Sequence, residues 1–252
     1  MKKAVYVLSA VALSALVVAC SKQDKIVEVS FSVGVDSGPM TRAFSEAFAD
    51  ALSQAVPPGP FSLKAQSKTN EMRSYSVTTG DTIQMAVDSY AVTGSGKGDV
   101  VAEITAGEIL SYPAWSVNSD VTVGDNGGTY SVPASYTCVA IAVDKTKVEK
   151  IEMNNGANTV TVTDFGGNDD AGVVFIKCTG TWTSSKALWV YVYPIDKVNC
   201  ETALYKLIST PTAVDGYVRV QNGYWYALTP GNVDVASGSM GVTFNSWNEG
   251  TI

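Results

Sequence analysis

Val27-Glu28-Val29-Ser30-Phe31-Ser32-Val33-Gly34-Val35-Asp36 alternates apolar and polar side chains without a break. In an extended chain successive side chains point to opposite faces. Val27, Val29, Phe31, Val33 and Val35 therefore share one face, and Glu28, Ser30, Ser32, Gly34 and Asp36 the other. The stretch reads as a strand with one face in a core, stopped by Ser37-Gly38-Pro39. The same period recurs down the chain. Phe61, Leu63 and Ala65 alternate, and Tyr75-Val77 and Ile83-Met85-Val87 flank the turn Thr79-Gly80-Asp81. Val121-Val123 and Tyr130-Val132 flank the glycine-rich turn at 124–128, which predicts a hairpin. Further strands are expected at 139–143, 160–162, 173–177, 187–193, 217–220, 224–228 and 242–244. Asn222-Gly223 is the strongest hairpin signal, because both residues tolerate the positive φ that a tight turn needs. Residues 201–208 fit a short helix or a strand.

One stretch carries a helical period. In residues 43–56, Phe44, Phe48, Leu52 and Val56 recur every four positions beside Ala47, Ala51 and Ala55, and Pro57-Pro58-Gly59-Pro60 ends the run. The expected class is all-β with this one short N-terminal helix. Many short strands with turns between them point to sandwiches rather than an alternating α/β sheet. The length of 252 residues accommodates one large domain or two small ones. The polar, lysine-rich stretch from Asp144 to Lys150 is the best boundary, giving sandwiches at 26–146 and 147–252.

The N-terminus has its own pattern. Lys2 and Lys3 precede an uncharged apolar run at 4–19, followed by Leu16-Val17-Val18-Ala19-Cys20 within and after it. The run is short for a membrane span, which takes ~20 residues, and the order of charge, apolar run and small residue is that of an export signal. It looks like a bacterial lipoprotein signal with its lipobox. That resemblance implies removal of 1–19, diacylglycerol on the Cys20 sulfur, acylation (palmitate among the acyl chains) of the new amine, and a tether at 20–25. A single acyl chain anchors reversibly, whereas two or more hold stably.

Composition closes several functional classes. The chain is 46% hydrophobic and 16% charged, which describes a folded protein. Its net charge of −7 becomes −9 once Lys2 and Lys3 leave with the signal, so nothing favours nucleic acid. There is no histidine, which removes Ser-His-Asp and Cys-His nucleophiles and imidazole metal sites. No nucleophile–base pair stands out, and no enzyme activity, metal or cofactor is expected. Cys138, Cys178 and Cys200 are spaced by 40 and 22 residues, not as metal ligands. They fit buried core thiols or one disulfide with a thiol left over. The acidic run at 164–170 lacks the regular ligand spacing of a calcium loop.

The aromatic residues leave two readings. Trp189, Tyr191 and Tyr193 alternate along one strand, and Trp225 lies between Tyr224 and Tyr226. Such rows serve as core or cross-strand pairs, or Trp189 and Trp225 form a platform on which a sugar stacks.

Met40-Thr41-Arg42-Ala43-Phe44 after the lipobox, tether and alternating strand resembles the fimbrillin-like lipoproteins of Bacteroides and Porphyromonas relatives. Tyr75-Ser76-Val77-Thr78-Thr79-Gly80-Asp81-Thr82-Ile83 with Tyr90-Ala91-Val92-Thr93 is similar to a pairing common in that family, as are Ala134-Ser135-Tyr136-Thr137-Cys138, Val143-Asp144-Lys145 and the Trp247-Asn248-Glu249-Gly250 ending. The resemblance implies two transthyretin-like or immunoglobulin-like sandwiches in an outer-membrane lipoprotein of the cell surface or fimbrium. In it, a protease would cut between Arg42 and Ala43 and release the strand at 27–35. Residues 240–252 of another subunit would fill the vacated groove. Partners would be other pilus subunits or a host or bacterial surface ligand, with the membrane reached through the lipid. A surface glycan-binding sandwich lipoprotein is the alternative.

Overall fold

The alternating stretch is strand β1 (Ile26–Val35) of the computed structural model, which describes residues 24–35, 51, 59–154, 158–232 and 243–246. Next along the chain come β2 (Ser62–Ser67), β3 (Ser74–Thr78), β4 (Thr82–Ala86), β5 (Asp88–Gly96), β6 (Val100–Ile104) and β7 (Gly107–Leu110). They are followed by β8 (Trp115–Val123), β9 (Gly128–Tyr136), β10 (Val139–Asp144), β11 (Val148–Asn154), β12 (Thr159–Val162), β13 (Gly166–Gly167) and β14 (Ala171–Cys178). The last are β15 (Leu188–Pro194), β16 (Cys200–Glu201), β17 (Ala203–Ile208), β18 (Val218–Arg219), β19 (Tyr224–Ala227), β20 (Gly231–Asn232) and β21 (Thr243–Ser246). The described residues are thus all-β apart from Ala51, which is helical and fully buried. The rest of the expected helix at 43–56 lies outside the described residues.

The first sheet runs β3-β2-β5-β8-β9-β1-β4. Each strand buries alternate residues on one face: Val27, Val29 and Phe31 of β1 meet Leu63, Ala65, Val77, Met85, Tyr90, Val92, Trp115, Val117, Val121, Val123, Val132 and Ala134 in one cluster. A single-faced sheet must bury its apolar side. β9 changes partners along its length. Its end pairs with β8 over Trp115↔Tyr136 to Val117↔Ala134, while Gly128 to Ala134 run parallel to β1. The hairpin expected across 124–128 therefore exists only at its far end. Beside the turn the two strands part. β3 and β4, which flank Thr79-Gly80-Asp81, also take different partners, β2 and β1.

The second sheet runs β21-β19-β10-β14-β7-β6, with β13 on β14, and the third runs β12-β11-β15-β17-β18. Their facing sides form a core with Val139, Ile141, Val143, Ile151, Met153, Val174, Ile176, Trp182, Leu188, Val190, Val192 and Leu207. β10 is buried on both faces. Its other side presents Ala140 and Ala142 to a second cluster with Cys138, Phe175, Trp225 and Ala51. A central strand covered on both sides reads as a continuous apolar run, and Val139-Ala140-Ile141-Ala142-Val143 is one.

β6, β7 and β10 lie before 146 and β14, β19 and β21 after it, yet they share the second sheet, so the sheets do not divide at 146/147. Asn222-Gly223 is a turn, closed by Tyr224 N–H donating to Gln221 O at 3.3 Å, but it does not make a hairpin. Only Gly223 has positive φ (80°), the type II pattern, and β18 and β19 leave it for different sheets. Residues 203–208 of the ambiguous stretch are strand β17. All three cysteines are free, with Cys138 buried and Cys178 and Cys200 half-buried.

Candidate functional sites: the inserted strand and the aromatic face

β1 lies inside the first sheet, not at its edge. On one side it runs parallel to β9 from Val29↔Gly128 to Val35↔Ala134, and on the other antiparallel to β4 from Ile26↔Ala86 to Ser30↔Thr82. Among the described strands β4 pairs with β1 alone, so β1 joins it to the sheet. Val29 and Phe31 are fully buried, Val27 is 9% exposed and Val33 is partly buried. The side chain of Val35 lies outside the described residues.

Local contacts fix the register. The Val87 N–H donates to Lys25 O (2.8 Å) and the Gly80 N–H to Phe31 O (3.1 Å). Ser30 and Thr129 hydroxyls lie 2.8 Å apart, and the Phe31 and Tyr130 rings are 6.1 Å apart. Gly127 sits against β1 at φ +63°; a Cβ there would drive into the Glu28 carbonyl oxygen. At the start of the strand Asp24 pairs with Arg73, whose guanidinium also lies 3.3 Å from Asp88. Burial works to raise the Asp88 carboxyl. Hydrogen bonds from Ser67 and Thr69, with Arg73, outweigh it and hold the group below its usual value.

Cys20, Arg42 and Ala43 lie outside the described residues. Of the expected donor at 240–252, the described part is β21, an edge strand antiparallel to β19 through Tyr224↔Ser246 to Ala227↔Thr243. The sequence did not single out Gly127. The doublet Gly127-Gly128 marks a turn, but nothing local says that one glycine abuts a strand 99 residues earlier.

The aromatic residues separate into two kinds. Trp225 is 0% exposed, between β10 and β21, and presents no face to a sugar; it drops out of the expected platform. Its neighbours Tyr224 and Tyr226 line the other core, so β19 is covered on both sides. Trp189 is 41% exposed. Leu188, Val190 and Val192 of β15 point inward, which turns Trp189, Tyr191 and Tyr193 outward along one row. On β11, Asn154, Glu152 and Lys150 lie opposite these three in order; on β17, Lys206 lies opposite Trp189. Lys150 Nζ stands 4.3 Å from the Tyr193 ring centre and 2.5 Å from Glu152, while the Tyr193 hydroxyl donates to Glu152 (2.7 Å). Hydrogen bonds from Lys150 and then Tyr193 lower the Glu152 carboxyl. Lys206 Nζ lies 5.9 Å from the Trp189 ring and 5.7 Å from that of Tyr217. The face is a row of half-exposed rings edged by charges, suited to stacking and hydrogen bonding.

The acidic run at 164–170 is a hydrogen-bonded turn. Asn168 Oδ1 accepts from the Asp170 and Ala171 N–H groups, and Lys145 donates to Asn168 O (2.7 Å). Among the described residues no group of three or more Cys, Asp or Glu side chains is placed to hold a metal.

No family model matches the chain, and neither does any curated protein. Among solved structures it is similar to a candidate cell adhesion protein of Bacteroides uniformis, with TM-score 0.41 and 11% identity over 89% of this chain and 100% of that one. A candidate cell adhesion protein of Bacteroides ovatus gives 0.40 and 9% over 91% and 100%. A pilus adhesin of Lactobacillus rhamnosus GG gives 0.22 and 11% over 87% of this chain and 31% of the adhesin. Likenesses this loose carry no functional argument.

Proposed function

We propose that the chain is a lipid-anchored adhesion or pilus subunit of the cell surface in which β1 is a replaceable strand. The observation that carries the reading is the placement of β1. It is intercalated between β9 and β4 and fills the core with Val27, Val29 and Phe31. Removing it would open two strand edges at once and empty an apolar slot. An added strand would satisfy both, with backbone hydrogen bonds and alternate side-chain knobs. Each buried knob is worth ~1.5–3 kcal/mol, enough to make the slot a strong acceptor. In this reading the lipid on Cys20 holds the unprocessed chain at the outer membrane, cleavage after Arg42 frees β1, and residues 240–252 of another copy take its place. β21, bound to one neighbour, is cheaper to detach than an inner strand.

The test is limited trypsin digestion of the folded chain, followed by mass spectrometry and gel electrophoresis. Cutting at Arg42 with the rest intact, then growth of SDS-resistant ladders, supports the reading. A resistant bond, or a cut chain that unfolds, refutes it. Incorporation of labelled palmitate at Cys20, lost in Cys20→Ser, tests the anchor.

The outward row Trp189, Tyr191 and Tyr193 favours a second reading, a glycan-binding face. Glycan-array binding abolished by Trp189→Ala would support it, and binding unchanged by that substitution would refute it.

A further inference from the structure

We propose that a cleft at the β18 edge of the third sheet binds a carboxylate-bearing sugar, such as a uronate, through Arg219. The cleft holds about 350 Å³ and is lined by Cys178, Thr181, Ser209, Arg219, Gln221 and Asn222 among others. That volume is in the range of small-molecule sites. None of its lining residues is acidic, and Arg219 is its only charge. The contrast with Arg73 is informative. Arg73 is held by two carboxylates, whereas among the described residues Arg219 has neither an ion pair nor a hydrogen bond, and its Nε is cut off from solvent without an acceptor. A guanidinium presents five N–H donors in a planar fork that fits a carboxylate bidentately, and leaving such a group unmatched is costly. On a chain of net charge −7, an arginine left without an acid is a positive spot that the protein has not neutralised itself.

The rest of the lining fits a polyhydroxylated ligand. Thr181, Ser209, Gln221 and Asn222 supply hydroxyls and amides around the fork. Ser209 is fixed in place: its Oγ accepts from the Trp182 N–H at 2.9 Å, and its own N–H donates to Trp182 O at 3.0 Å. Burial pushes the Cys178 thiol up to about 11, so it stays neutral and adds no opposing charge. The site is independent of strand exchange, because β18 and β1 belong to different sheets.

The test is calorimetric titration of the whole chain in detergent with glucuronate, glucose, acetate and a dipeptide with a free C-terminal carboxylate. Glucuronate should bind at least tenfold more tightly than glucose or acetate. Arg219→Gln should abolish that binding and Arg219→Lys should weaken it about tenfold, since an ammonium cannot form the fork. Arg219→Gln should leave the Tm unchanged or raised, because an unmatched donor is removed. Should that variant fail to fold, Asn222→Ala keeps the test open, with glucuronate expected to weaken and the fold to hold. Equal binding of glucose and glucuronate, or glucuronate binding that survives Arg219→Gln, overturns the proposal. Acetate binding as tightly as glucuronate reduces the cleft to a generic anion site and overturns the sugar, and tighter dipeptide binding assigns it to a protein C-terminus instead.

Discussion

Gly127→Ala is the sharpest probe of how β1 is seated. Gly127 adopts φ +63°, and its Cβ would overlap the Glu28 carbonyl oxygen, with the Glu28 carbonyl carbon at 3.1 Å and amide nitrogen at 3.3 Å. All three neighbours are backbone atoms of β1, so no side-chain rotation relieves the overlap. The left-handed conformation alone costs an alanine ~1–2 kcal/mol. Overpacking against a backbone held by β9 and β4 adds ~1–3 kcal/mol. The expected loss is about 2–5 kcal/mol, read by urea unfolding. Gly124 is the internal control: it lies in the same turn, and a Cβ there meets nothing within 4 Å. Gly124→Ala should stay within ~0.5 kcal/mol of wild type. Hydrogen exchange should locate the damage, with β1 amides exchanging faster in Gly127→Ala and the second sheet keeping its protection. Equal stability of the two variants, or loss of protection away from β1, would refute the reasoning.

Trp225→Ala should cost ~3–5 kcal/mol because the side chain fills a closed cluster, whereas Trp189→Ala on the outer face should cost under ~1 kcal/mol; thermal unfolding separates them. Because Asp88 is held below its usual value in the fold, its contribution is present above the unfolded carboxyl value of ~3.9 and is lost as pH falls through the folded one. An acid titration of stability should therefore be shallower for Asp88→Asn than for wild type, and identical slopes would contradict the hydrogen bonds that Ser67 and Thr69 give Asp88. Burial pushes the Cys138 thiol up to about 12, so a thiol reagent at pH 8 should leave it unmodified until the chain unfolds, after which Cys138, Cys178 and Cys200 should all react. A disulfide found in the native chain would count against these free thiols.

The sequence discloses faces better than partners. Period-two alternation correctly put Val27, Val29 and Phe31 together on a buried face and Trp189, Tyr191 and Tyr193 together on one face, because which side chains share a face depends only on their spacing in sequence, whereas which face is covered does not. Partner choice is set by distant segments. Nothing local tells that β9 turns from β8 to run parallel to β1, or that the strands around Asn222-Gly223 separate. Trp225 stayed open between core and platform for a related reason. Tyr224-Trp225-Tyr226-Ala227-Leu228 is apolar throughout, the mark of a strand covered on both sides, where alternation has no contrast to show. Arg219 carries no sequence signal, since its lack of an acid emerges only once the strands are placed.

The most direct test of the central claim is strand uptake by the processed chain. After trypsin cleavage at Arg42 and removal of the freed segment, a fluorescent peptide of residues 26–35 should bind the remaining protein, with a peptide of residues 240–252 competing for the slot. No uptake of either peptide by a folded, cleaved chain would contradict the account.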